Sequence, residues 1–177
     1  MASWVSAAWI ARVLNEHGAA LELFAAQWTD SPEDCVQEAI LELTRQSAPP
    51  QNVAAWLFHV VRLRAISANR SSSRRRRHES LAARLVRITT DPRESNFDGH
   101  DLAIALNQLD DEQREVIVAK IWGGLGFAEI AQMIGTSTAT AFRRYEAGLT
   151  VLRTKLESLC DKTNLPNPIS IRNCPKT

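Results

Sequence analysis

Gly126-Phe127-Ala128-Glu129-Ile130-Ala131-Gln132-Met133-Ile134-Gly135-Thr136-Ser137-Thr138-Ala139-Thr140-Ala141-Phe142-Arg143-Arg144-Tyr145 reads as two helices meeting at a sharp turn. The first buries Ile130, Ala131 and Ile134, one helical face. Gly135 follows at once, where a chain leaving a helix favours a left-handed residue. Ser137 then caps the next helix by accepting a backbone N–H. That helix carries Ala141, Tyr145, Leu149, Leu152, Leu156 and Leu159 at helical spacing on one side. Thr138, Thr140, Arg143 and Glu146 fall on the other. The pattern is a helix-turn-helix, whose second helix commonly enters the major groove of DNA by its N-terminal end. A plain helical hairpin with a glycine turn is the competing reading.

The rest of the chain is also helical in character. It has 177 residues, 45% hydrophobic and 23% charged, with seven Gly, seven Pro and one Tyr. That composition suits a globular all-α protein of one domain or two small ones. Net charge is only +1, but charge is unevenly spread. Arg70 and Arg74–Arg77 are basic, whereas Asp30, Glu33, Asp34, Glu38 and Glu42, and again Asp110, Asp111, Glu112 and Glu115, are acidic. Separate surfaces of opposite sign can serve two partners. Three cysteines without CxxC spacing suggest neither a disulfide framework nor a zinc site, and fit a reducing cytoplasm. No signal peptide and no membrane span is read from the sequence.

Helices are expected over Trp4–Glu16, interrupted at His17-Gly18, and over Ala19–Gln27. Another opens at Ser31-Pro32-Glu33-Asp34, with Ser31 at the cap and Pro32 at the first helical position. It buries Val36, Ala39, Ile40 and Leu43 and ends before Pro49-Pro50. The next runs from Val53 to about Arg70, with Trp56, Leu57, Val60, Val61 and Leu63 as apolar candidates. Leu81, Leu85 and Ile88 could form one loose helical stretch in an otherwise polar tether. Asp110 or Asp111 caps a helix that buries Val116, Ile117 and Ile121. The expected organisation is two small helical domains, 1–78 and 101–160, joined by a flexible linker, 79–100, with a disordered tail, 161–177.

Catalysis finds no support. The four histidines are scattered, no glycine-rich loop precedes a Lys-Ser/Thr pair, and no nucleophile elbow occurs. Three surfaces remain. On the reading helix, Thr138 and Thr140 can bond bases or phosphates. Arg143 or Arg144 can take guanine, a phosphate or an intramolecular carboxylate. On the helix from Val53, Arg62 and Arg64 offer a phosphate track beside Trp56, which either stacks on a base or packs in the core. Asp34, Glu38 and Glu42, four residues apart, line one helix face that either docks on a basic protein or is merely solvated.

Taken in order, Asp34-Cys35-Val36-Gln37-Glu38-Ala39, then Ala55-Trp56-Leu57-Phe58, a basic helix end, Leu109-Asp110-Asp111-Glu112-Gln113-Arg114-Glu115-Val116 and the helix-turn-helix resemble the extracytoplasmic-function sigma factors of bacterial RNA polymerase. The resemblance runs from about Leu14 to Leu156. It implies a promoter-specificity factor, not an enzyme, that needs no cofactor and works in the cytoplasm. The partners it implies are core RNA polymerase and promoter DNA, with an anti-sigma factor as a further candidate. The polymerase contacts would be the clamp helices of the largest subunit and the flap of the second-largest. Asp34, Gln37, Glu38 and Leu41 would bind polymerase. Pro50, Gln51, Asn52, Trp56, Arg62 and Arg64 would bind the −10 element. Thr138, Thr140, Phe142, Arg143, Arg144 and Glu146 would bind the −35 element. Phe142 and Ala147 stand where the family usually has basic residues, and Leu63 and Ser67 where Asn and Asp are common. A stand-alone helix-turn-helix regulator with an N-terminal dimerisation or sensing domain is the alternative.

Overall fold

The structure is a computed structural model that describes residues 4–68 and 99–163. The basic run Arg74–Arg77, the expected loose helix at Leu81–Ile88, most of the expected linker and residues 164–177 lie outside the described residues. The described residues form seven helices and no strand. In chain order they are α1 (Ala7–Ala25), α2 (Pro32–Thr44), α3 (Val53–Ala68), α4 (Gly99–Asn107), α5 (Asp111–Ile121), α6 (Phe127–Ile134) and α7 (Thr138–Thr163). None is long and apolar enough to cross a membrane.

α1 begins at Ser6, whose hydroxyl accepts the N–H of Trp9 at 3.1 Å. It continues through His17-Gly18, where the sequence suggested a break. A glycine inside a helix costs about 1 kcal/mol relative to alanine. Complete burial of Leu21, Leu23 and Phe24 on the same helix outweighs that cost. At α2, Ser31 occupies the cap position but its side chain makes no capping bond. Pro32 in the first turn, with Glu33 and Asp34 at the positive end of the helix dipole, sets the start instead. Asn52 caps α3, its Oδ1 accepting the N–H of Ala55 at 3.0 Å.

α1, α2 and α3 pack on one another, and α7 packs along α4, α5 and α6. These two halves also touch, α1 against α5 and α3 against α6, so that their buried side chains make one cluster. α5 is central. Arg114, Glu115, Val116, Ile117, Val118 and Ala119 are all buried, six in succession. A helix covered on every side loses its amphipathic period. Val116 and Ile117 are buried as expected, but Ile121 is 48% exposed, while Val118 and Ala119 are inside. Leu63, another apolar candidate, is also mostly exposed.

Two turns fix the join. Gly124 takes a positive φ of 66° and turns the chain from α5 toward α6. Beside it, a Cβ on Gly123 would lie 2.7 Å from the ring of Phe58 on α3. Only a glycine allows that approach. Arg114 ties α4 to α5, donating from Nε to the carbonyl of Leu106 at 2.9 Å and from Nη2 to that of Leu109 at 2.7 Å.

Candidate nucleic-acid and polymerase interface

The turn between α6 and α7 has the expected chemistry. Gly135 sits at φ 71°, ψ 41°, the left-handed conformation. Ser137 Oγ accepts the N–H of Thr140 at 3.1 Å. Glu129 folds back on its own helix start, accepting the Gly126 N–H at 2.7 Å. Ile130, Ala131 and Met133 are buried on α6, and Ala141 and Leu152 on α7.

The exposed face of α7 carries Thr138, Ala139, Phe142, Arg143, Glu146 and Ala147 over its first three turns. The two arginines divide. Arg144 turns inward and pairs with Glu112 of α5 at 2.7 Å. Arg143 stays exposed and donates to Thr140 Oγ1 at 3.3 Å. Thr140 is therefore engaged from both sides, since its hydroxyl also meets Ser137 Oγ at 2.9 Å. Phe142 is 44% exposed and rests edge-on against Phe127, ring centres 5.3 Å apart and planes at 86°.

On the opposite half, α2 presents Asp34, Gln37, Glu38 and Leu41 to solvent, and Leu41 is 55% exposed. Arg64 of α3 spans this stripe, 3.3 Å from Glu38 and 2.7 Å from Glu42. Arg64 thus neutralises part of the acidic face, with its guanidinium still half in solvent. Cys35 lies beneath; burial, then Glu38 and Asp34, push its thiol above the usual range. The shift favours the thiol over the nucleophilic thiolate.

Pro50, Gln51, Asn52 and Trp56 line a cleft of about 480 Å³ between α3 and α6, closed on the far side by Glu129, Gln132 and Met133. Trp56 is half-buried, so it serves the core and the cleft wall together. Asn52 Nδ2 donates to Glu129 Oε1 across the cleft. Arg62 Nε donates to Glu115 Oε1 on α5. Glu115 is only 5% exposed, and burial pushes its carboxyl above the usual glutamate range despite the opposing hydrogen bond and charge of Arg62. Arg114, the other buried charge of α5, has its guanidinium pulled down by burial.

Glu115, Glu129 and Arg114 were not singled out as functional from sequence. Glu115 had one visible sign, the last acid of its cluster standing directly against the apolar run Val116-Ile117-Val118-Ala119. Nothing local could say that its partner is Arg62, 53 positions away. Among the described residues no group of three or more His, Cys, Asp or Glu is placed to hold a metal ion.

Comparisons with known proteins agree with this geometry. Residues 101–151 match the family model of sigma-70, region 4. The chain is 31% identical over 169 residues to the ECF RNA polymerase sigma factor SigL of Mycobacterium tuberculosis (strain H37Rv), covering 89% of this chain and 94% of that one. Among solved structures it is similar to the sigma factor RpoE in complex with the anti-sigma factor NepR from Bartonella quintana. That likeness has a TM-score of 0.61 at 22% identity, over 86% of this chain and 98% of the other. It is also similar to CnrH in complex with the cytosolic domain of CnrY, with a TM-score of 0.55 at 24% identity, over 86% and 88%. These two likenesses establish the fold. The alignment to SigL runs through both halves, which disfavours a stand-alone helix-turn-helix regulator with an unrelated N-terminal module. The chain belongs to the extracytoplasmic-function family of RNA polymerase sigma factors.

Proposed function

We propose that this sigma factor works in the cytoplasm, binding core RNA polymerase with α2 and promoter DNA with α3 and α7. The exposed acids Asp34 and Glu38, with Gln37 and Leu41, form a face suited to the basic clamp helices of the largest polymerase subunit. The C-terminal half would also meet the flap of the second-largest subunit. Residues 1–78 form the −10 module and 101–160 the −35 module, joined by 79–100. The observation that carries this reading is the pairing of an unburied acidic stripe on α2 with a capped, outward-facing α7.

In the −10 module, Pro50, Gln51 and Asn52 lead into α3 and would receive an unstacked base, while Trp56 offers a ring surface. Arg62 would take a strand phosphate. Its present partner, Glu115, and Asn52's partner, Glu129, are carboxylates on the other half. Both must be released before α3 meets a strand, so loading onto DNA requires the halves to part. In the −35 module, Thr138, Phe142, Arg143 and Glu146 face outward. Arg144 and Thr140 hold the helix in place through Glu112 and Ser137. Polymerase supplies the catalysis. A protein partner that holds the halves together would act as an anti-sigma factor.

The test is run-off transcription with purified core polymerase on a promoter library. Specific transcripts that require both added protein and core enzyme are expected. Failure to bind core enzyme or to start any transcript would overturn the proposal.

A further inference from the structure

The reading helix is poor in cations. Over its first three turns, Arg143 is the exposed basic side chain, because Arg144 is bound to Glu112. What the helix offers instead is a ring. Phe142 lies one turn after Thr138 and one turn before Glu146, on the outward stripe of α7. It is held rather than loose. Phe127 meets it edge to face, Tyr145 meets Phe127 at 5.3 Å, and Lys120 Nζ stands 5.0 Å from the Phe127 ring centre. A ring fixed in this way loses little freedom on binding. Its outer part remains in water, 44% exposed, and gains from being covered.

Against base edges in the major groove, a hydrocarbon ring has one distinctive partner. Thymine alone presents a C5-methyl group there; the other bases present donors and acceptors that a phenyl ring leaves unsatisfied. We propose that Phe142 is a specificity-determining residue that reads a thymine methyl in the −35 element, in place of a phosphate or guanine contact. This rests on the reading of α7 as the −35 module. It follows that the chain prefers thymine at one fixed position and discriminates against cytosine there by loss of an apolar contact. Thr138 and Arg143 flank the ring and supply the polar contacts on either side.

The experiment uses holoenzyme assembled from core polymerase and the full chain. A −35 sequence is first selected from a randomised duplex library. Each thymine of that element is then replaced, singly and on either strand, by deoxyuridine, which lacks only the methyl group. Wild-type holoenzyme should lose about fourfold in affinity at one position, the worth of burying one methyl-sized group. Phe142→Ala holoenzyme should show no thymine–uracil difference at that position. Phe142→Leu should keep part of it. Phe142→Arg should bind all sequences more tightly while losing the difference, because it adds a phosphate contact. Unchanged affinity of Phe142→Ala for a −10 oligonucleotide controls for folding. If the wild type tells −35 sequences apart yet treats thymine and uracil alike at every position, the methyl assignment is wrong. The same holds if Phe142→Ala keeps the full difference. If −35 sequence has no effect at all, α7 is not a reader, and both the assignment and the reading beneath it fall.

Discussion

Gly123 and Gly135 are both glycines at turns, yet they are required for different reasons. Gly135 has open space around it and a φ of 71°. Alanine there suffers only backbone strain, about 1–2 kcal/mol. Gly123 needs no unusual φ, but a Cβ would come within 2.5 Å of the Ala119 carbonyl and 2.7 Å of the Phe58 ring. Gly123→Ala should therefore cost about 1–3 kcal/mol as an overpacked contact. Urea denaturation separates them by location. Gly135→Ala should weaken the C-terminal half alone, whereas Gly123→Ala should also loosen its join to α3, seen as faster proteolysis between the halves. Equal behaviour of the two variants would contradict the role given to Gly123. The sequence displayed the Gly135 turn openly, because its cause lies in neighbouring residues. The close approach at Gly123 was not displayed, because the ring it accommodates is contributed by a distant helix.

Among the elements, α2 and α5 show how far a pattern can be trusted. α2 has one face in and one face out, and its acids at spacing four lie along one stripe, Asp34 and Glu38 exposed and Glu42 half-buried against Arg64. Reversing Asp34 and Glu38 together to lysine should reduce binding to core polymerase at least tenfold and leave naked-DNA binding little changed, as measured by parallel titrations. Equal loss in both would indicate misfolding. Glu38→Lys also removes one of the two carboxylates beside Arg64, but Glu42 at 2.7 Å keeps that side chain in place. α5 is harder to read because it has no outer face along Arg114–Ala119. Its six successive buried residues include two charges, which local reasoning assigns to the surface. Their burial is compensated by Arg62 for Glu115 and by two carbonyls for Arg114. Arg114→Ala should destabilise the C-terminal half by about 3 kcal/mol, since two buried carbonyls lose charged donors. Thermal melting of the full chain would measure it.

The whole molecule holds its two halves face to face, and the contacts that do so occupy Asn52 and Arg62. Closure should therefore be coupled to protonation. Glu115 has a raised carboxyl pKa in the closed chain, chiefly through burial. A raised value means that the closed form retains a proton that the open form releases. Closure should therefore strengthen as pH falls through the interval just above the ordinary glutamate range and weaken as pH rises through it. Energy transfer between dyes on α2 and α7 would follow the opening, and Glu115→Gln should flatten the response in that interval. An unchanged profile in Glu115→Gln would assign the proton elsewhere. The helical content and most helix boundaries were legible in the sequence, as was the motif order along the chain. The mutual packing of the halves was not, because Arg62–Glu115 and Phe58–Gly123 are pairings between surfaces that each look self-sufficient alone.

The Phe58–Gly123 contact has a consequence in time as well as in space. Synthesis is vectorial, so α3 emerges long before the turn that covers Phe58 is made. At roughly 5–20 residues per second the interval lasts several seconds. During it, the N-terminal half can already bury Leu21, Leu23, Phe24, Leu43 and Leu57 among its own helices. Phe58 has Phe24 beside it, ring centres 5.0 Å apart, but the edge of its ring that meets Gly123, and Arg62, have no such cover. Each newly made chain therefore passes through a brief age at which its α3 surface is available to any neighbour, before its own C-terminal half arrives to claim it.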